Sequence, residues 1–441
     1  MLGYYIELAM RSLKRSPGLT VLMVLTIGFG VGASMTTWSV FRAVSGDPIP
    51  SKSSQLFVPQ IDLWGPGNRG VDGEPPDALD YADAVALQHD HRAARQSAIY
   101  AIGPSVLPTD ASRTPIPLGG FAVYSEFFPM LDVPFQYGSG WSADDDARQA
   151  PVAVISDDIN RKLFGGADSV GRTIVIDHKD YRVVGVMKHW NPQPIFFDIP
   201  DTGGFGGDSA ADVLLPFTRA IAMGMSNVGS TNCPKNALPS EPGFAGLQHS
   251  ACAWISYMVE LDDAAAVQHY RQYLDDYARN QQQLGRLHWA PNNRLRDVPA
   301  FLDHEHVVPS DARVSMLVAL GLLLACLVNT VGLLLARFLR RSGEIGVRRA
   351  LGASQWAIGT QFLVEAALIG MGGSVLGLLF TGIGVLSVGW VLPPYLAGLA
   401  HIDAHLLVLT ILVAVVASLL AGVYPAFRAA RVQPAWQLKT Q

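Results

Sequence analysis

The chain has 441 residues, 49% of them hydrophobic and 16% charged, and its mean hydropathy of +0.24 is too high for an ordinary soluble protein. The formal net charge of −5 divides by position: residues 47–311 hold 19 Lys and Arg against 33 Asp and Glu, while the flanks of the apolar runs hold 11 basic residues against Glu7 and Glu344 alone. A basic excess restricted to such flanks, with a net acidic stretch between them, does not suggest a nucleic-acid partner.

In chain order, Ile6, Ala9, Met10 and Leu13 recur at helical spacing, with Glu7, Arg11, Lys14 and Arg15 on the other side. Residues 1–17 therefore predict an amphipathic helix on the cytoplasmic leaflet, closed by Pro17. A first transmembrane helix is expected over 18–44, since a bilayer core needs about 20 apolar residues in helical form. Val31-Gly32-Ala33 resembles a signal-peptide cleavage site, but the apolar run continues to Phe41, so a retained anchor is expected.

Residues 45–312 alternate short strand-like and helical patterns and read as a large mixed α/β domain. A strand at 151–155 leads to Ser156 as N-cap of a helix over 157–164, then to β-rich runs at 173–176 and 181–186 around a turn at His178-Lys179. A longer helix over 263–287 places Val267, Tyr270, Leu274 and Tyr277 on one face. Between these, 191–250 is rich in Gly, Pro, Ser and Asn and reads as an insertion or mobile subdomain. Cys233 and Cys252 fall near its end and are candidates for a disulfide in an oxidising compartment, though sequence gives no distance between them. No metal site is expected: Asp303-His304-Glu305-His306 reads as a solvated loop, Asp144-Asp145-Asp146 as a helix start or turn, and the glycines at 203, 204, 206 and 207 as loop.

Further transmembrane helices are expected over 313–337, 358–391 and 405–427. An uncharged run over 366–402 is too long for one span, and Pro393-Pro394 breaks it, with Trp390 and Tyr395 as an interfacial belt before a short external loop at 392–404. Gly28-x-x-x-Gly32 and Gly373-x-x-x-Gly377 predict close helix packing, and Asn329 an interhelical hydrogen bond. Glu365 would lie either near the cytoplasmic interface or facing the bundle. The positive-inside rule puts both termini, the 338–357 loop and the 428–441 tail in the cytoplasm and the acidic domain outside, and four crossings satisfy that parity.

The most specific stretch is Arg340-Arg341-Ser342-Gly343-Glu344-Ile345-Gly346-Val347-Arg348-Arg349-Ala350-Leu351-Gly352-Ala353-Ser354 in the 338–357 loop. Glu344 and Arg348 can pair at i, i+4, Ile345, Ala350 and Leu351 give an apolar side, and Gly352 a stop. With the elements at 151–186 and the tail around Tyr424-Pro425-Ala426, this segment resembles the MacB/FtsX family of ABC transporter permeases. The resemblance implies four transmembrane helices plus a MacB-like periplasmic core domain in a bacterial inner membrane.

It also implies a coupling helix built from Glu344, Ile345, Arg348, Arg349, Ala350, Leu351, Gly352 and Ala353 that docks a nucleotide-binding subunit. A second permease copy, identical or paralogous, is implied as well, with a periplasmic adaptor and membrane lipid as further partners. The expected function is transmission of ATP-driven motion for export of a drug, peptide or lipoprotein; the alternative is control of a cell-wall hydrolase or sensor kinase. None of the seven lysines follows a glycine, so the sequence holds no Walker A motif, and neither G-x-S-x-G nor H-E-x-x-H occurs. This chain is therefore expected to be non-catalytic and without a cofactor, with ATP and Mg bound by an ATPase on a separate chain.

Overall fold

The computed structural model describes residues 2–108, 114–202, 210–235, 238–307, 310–391 and 403–430. It divides into two compact units, Met1–Val44 with Pro309–Gln441, and Ser45–Val308.

The first unit opens with α1 (Leu2–Arg15) and α2 (Pro17–Ser45). The second unit then runs β1 (Leu56–Gln60), α3 (Tyr81–Asp90), β2 (Arg95–Ile102), β3 (Ser105–Leu107), β4 (Ile116–Pro117), β5 (Gly120–Val123), α4 (Phe127–Met130), β6 (Phe135–Gly138) and α5 (Ala143–Ala147). It continues with β7 (Val152–Ser156), α6 (Asp157–Phe164), β8 (Thr173–Ile176), β9 (Lys179–Met187), α7 (Ile199–Thr202), β10 (Val213–Pro216), α8 (Phe217–Ala222) and α9 (Gly243–Gln248). It closes with β11 (Ser256–Glu260), α10 (Ala264–Gln283), β12 (Arg294–Asp297) and α11 (Val298–His304). The chain returns to the first unit through α12 (Ser310–Arg340), α13 (Ser342–Ala350), α14 (Gln355–Val391) and α15 (Ala404–Ala430).

In the second unit all twelve strands join one mixed sheet, ordered β12-β1-β11-β2-β5-β10-β7-β9-β8-β3-β4, with β6 on β9. Its two faces carry separate cores, and the strands alternate between them. Ala153 and Ile155 of β7, Val213 and Leu215 of β10, and Tyr100 of β2 enter one core. Val152 and Val154, Leu214, and Ile99 and Ala101 enter the other. Burial on both faces explains why these strands read as unbroken apolar runs.

Three expectations about the second unit need correction. Residues 191–250 are not an insertion, because β10 sits inside the sheet, parallel to β5 and antiparallel to β7. Its four residues are too short to stand out among the glycines and prolines around them. The β8–β9 hairpin turns at Asp177 (φ 43°) and His178 (φ 65°), one residue earlier than expected, since a two-residue loop of this kind needs positive φ at both positions. Finally, α10 stops at Gln283, with Gly285 at φ 78° just beyond it, four residues short of the expected end.

Other local features match their chemistry. Ser156 caps α6 by accepting from the Ile159 N–H (3.2 Å). Ser142 and Asp145 form a capping box at α5, which places the Asp144-Asp145-Asp146 run in a helix start. Cys233 and Cys252 are disulfide-bonded and close the loop that carries α9. Among the described residues no group of three or more His, Cys, Asp or Glu could hold a metal ion.

In the first unit α2, α12, α14 and α15 are each long and apolar enough to cross a membrane. Glycines set the approach of α2 to α14: a Cβ on Gly28 would lie 2.7 Å from the Leu376 Cβ, on Gly32 2.5 Å from the Phe380 Cβ, and on Gly373 2.7 Å from the Ile27 Cγ2. Gly377 faces Val31 at 3.2 Å, and Gly370 meets Ser418 of α15. Arg42, at the end of α2, donates to Asp403 Oδ2 (2.6 Å), just before α15. Asn329 does not turn toward a neighbouring helix of this chain; it is exposed on α12. Ala9 and Ser12 of α1 are buried, while Ile6 and Met10, assigned by spacing to the same apolar side, are exposed. Pro393-Pro394, Tyr395, the glycines at 203, 204, 206 and 207, and the tail beyond Ala430 lie outside the described residues.

Candidate functional site

The site is an elbow formed where α12, α13 and α14 meet. Arg341 separates the first two helices, and its φ of −105° breaks the helical path. After α13, Gly352 adopts φ 96°, a left-handed conformation that favours glycine. Ser354 then accepts the Ala357 N–H (3.1 Å) and starts α14. A stop and a start two residues apart fix the return angle.

Inside the elbow lies a polar network at the end of an apolar bundle. Glu365 of α14 is fully buried, and Arg337 of α12 is only 2% exposed. Their charged groups stand 3.8 Å apart, and Arg341 reaches the other Glu365 oxygen at 3.1 Å. Gln361 donates to the same oxygen (3.3 Å), Arg337 donates to Ser12 of α1 (3.1 Å) and Thr20 of α2 (3.3 Å), and Arg341 also bonds Ser12. Glu344 of α13 pairs with Arg341 (3.2 Å) and Arg348 (2.8 Å), and Arg348 donates to Gln361 (3.0 Å). A charge taken out of water is tolerated only when paired and hydrogen-bonded, so this network pins α13 to α1, α12 and α14 at once.

The apolar side expected of Ile345, Ala350 and Leu351 divides between two faces. Ile345 points inward at 5% exposure and joins the bundle core with Phe338 and Phe362, whose rings lie 4.0 Å apart. Leu351 is 82% exposed, and Val347 and Trp356 are exposed beside it in sequence, Trp356 at 86%. Arg348 turns to Glu344 and Gln361 inside the elbow. The outward surface of α13 and the start of α14 thus carries three large exposed apolar side chains, and such side chains held on a fixed backbone make good anchors for a partner's pocket.

Sequence reading missed Arg337, Gln361, Ser12 and Thr20. Arg337 was counted as a basic flank, although it stands four residues before Arg341 on the same helix face, as Gln361 stands four before Glu365. Those paired spacings were the available signal.

A bundle of four spanning helices, with a mixed α/β domain between the first and second and a short helix between the second and third, defines a membrane permease with an extracytoplasmic domain. The chain belongs to the MacB/FtsX-type ABC transporter permease family: the MacB-like periplasmic core domain matches residues 20–277, more than half the chain, and the FtsX-like permease C-terminal domain matches 316–434.

It is similar to the pyoverdine export ATP-binding/permease protein PvdT of Pseudomonas aeruginosa, 26% identical over 72% of this chain and 41% of that protein. It is also similar to the macrolide export ATP-binding/permease protein MacB of Escherichia coli K12, 24% identical over 97% of this chain and 59% of the relative. The chain thus spans between two-fifths and three-fifths of these curated relatives. The periplasmic region of MacB from Actinobacillus actinomycetemcomitans aligns with 58% of this chain and 94% of that structure, at 10% identity and a TM-score of 0.36.

Proposed function

We propose that this permease is the membrane part of a MacB-like exporter and that α13 docks an ATPase whose ATP-driven movement it passes on. The observation that carries this reading is the pairing of an exposed apolar face, Val347, Leu351 and Trp356, with a buried ionic clamp behind it. A docking element needs both parts. The face gives a partner something to grip, and the clamp makes the helix move with the bundle instead of bending away from it.

On this reading the elbow and both termini are cytoplasmic, in agreement with the excess of arginine in those segments. The domain over 45–308 is periplasmic. The covalent path from the elbow to that domain runs through α12, while α2, hydrogen-bonded to Arg337 through Thr20, leads into the domain from its other end. Two permease copies would serve one ATPase pair, with ATP and Mg bound by the ATPase. The cargo class is export substrate, with drugs, peptides and lipoproteins as candidates, and a periplasmic adaptor would complete the route.

The test is reconstitution of the permease with its ATPase in proteoliposomes. Permease-dependent stimulation of ATP hydrolysis is expected for the wild-type chain and should vanish in Leu351→Asp. Stimulation unaffected by Leu351→Asp and Trp356→Ala together would refute the docking face.

A further inference from the structure

We propose that α1 is a contact surface for anionic phospholipid, and that the lipid competes with Glu344 for Arg15. The proposal rests on the reading above, which places this side of the bundle on the cytoplasmic leaflet and gives α13 its coupling role.

The helix presents three kinds of surface. Ala9 and Ser12 are buried against the bundle. Ile6 and Met10 are exposed on one flank, Arg11 and Lys14 are exposed on the side away from the buried residues, and Arg15, also exposed, lies on the other flank, within reach of Glu344. An apolar flank beside a cationic one suits a bilayer surface, where acyl chains take the first and phosphates the second. An acidic protein surface would satisfy only the charges.

Chain adjacency sets the depth. Helix α2 begins at Pro17, and its first exposed apolar residues are Val21 and Leu22. Lys14 and Arg15 therefore stand within two turns of the point where lipid tails begin, which is the level of headgroup phosphates.

The basic residues are also available. Lys14 makes no ion pair among the described residues, and Arg11 has only the exposed partner Glu7 (2.5 Å) one turn away. Arg15 is 74% exposed and lies 3.8 Å from Glu344, a long exposed pair of little strength. A phosphate can displace it, and Glu344 would still keep Arg341 (3.2 Å) and Arg348 (2.8 Å). Lipid binding at α1 thus frees one ligand of the coupling helix without dismantling the elbow. By linkage, anything that strengthens Arg15 on Glu344 weakens lipid binding at α1 to the same degree.

The experiment uses the full chain reconstituted without ATPase in phosphatidylcholine vesicles carrying spin-labelled phosphatidylglycerol or spin-labelled phosphatidylcholine. The motionally restricted fraction of each label reports its association with the protein. A basic residue at the surface changes affinity for anionic lipid by roughly fivefold, so phosphatidylglycerol should be preferred by at least about threefold at low salt. The preference should collapse toward unity at high ionic strength and in Lys14→Gln/Arg15→Gln, and persist in the charge-keeping Lys14→Arg/Arg15→Lys. It should also persist in Leu351→Asp, the variant that tests ATPase docking, so the two readings can fail separately. Equal association of the two lipids, or a preference untouched by Lys14→Gln/Arg15→Gln, overturns the proposal. Loss of ATPase capture in that variant without any lipid preference would assign the basic side to the protein partner instead.

Discussion

Arg341 and Glu365, 24 residues apart in sequence, meet at 3.1 Å where the second and third spanning helices are joined, and the carboxylate they share with Arg337 is fully sealed from solvent. Because that buried carboxylate is the acid facing the buried Arg337, removing it leaves the Arg337 charge uncompensated, while Arg341 keeps Glu344 at 3.2 Å. Glu365→Ala is expected to cost about 3–5 kcal/mol, whereas an apolar replacement of both partners, Arg337→Met with Glu365→Leu, should cost less than the single change. Thermal unfolding of the detergent-solubilised chain checks the order. A single variant as stable as wild type would show that the pair carries no strain-free load.

The outward and inward faces of α13 should separate in mutagenesis. Leu351→Asp alters a side chain that is 82% exposed, so it should leave the melting temperature unchanged and reduce ATPase co-purification by an order of magnitude or more. Arg348→Glu replaces the cation that Glu344 meets at 2.8 Å with a second acid, and should lower the melting temperature. Equal melting temperatures for both variants would contradict this division.

Helix packing gives a sterically defined test. Gly32→Val places atoms where the Phe380 Cβ already sits 2.5 Å away, and is expected to destabilise by roughly 1–3 kcal/mol through overpacking. Gly321 on α12 has no neighbouring atom within 4 Å of an added Cβ, so Gly321→Val should be silent in the same melting assay.

In the domain over 45–308, burial, with the nearby Asp77 charge, raises the Glu305 carboxyl from 4.5 to about 7. Arg296, His306 and Glu74 also act on it, and His304 lies 3.8 Å away. Since the folded chain holds this proton more tightly than the unfolded chain, the group's contribution is complete below pH 4.5 and is lost as pH rises to about 7. Glu305→Gln should therefore flatten the melting temperature between those limits and stabilise the chain by ~1–2 kcal/mol above them, after allowance for partial exposure. Parallel pH profiles for variant and wild type would contradict this.

What could be read from sequence follows from the range of the interactions involved. Ser156, the Glu344–Arg348 spacing and the Gly352 stop are local signals, each complete within one or two turns of chain, and each of the four apolar runs is complete within one continuous segment. The Gly28 and Gly373 motifs predicted close packing, but only the structure pairs them with each other. Arg337 was hidden because a buried arginine and a flanking one look alike until the partner carboxylate, 28 residues later, is placed. Strand β10 was hidden because its neighbours in the sheet, β5 and β7, are distant in sequence and its own four residues show no period. Ile345 and Leu351 counted together as apolar, and only the fold shows that one packs inward and the other outward.

The central claim is that α13 presents its Leu351 side to an ATPase and keeps its Ile345 side in the bundle. Photo-crosslinking residues introduced singly at 345, 351 and 356 in the assembled complex test it most directly. ATPase adducts are expected from 351 and 356 and none from 345; adducts from 345 with none from 351 and 356 would mean that the helix docks by its other side.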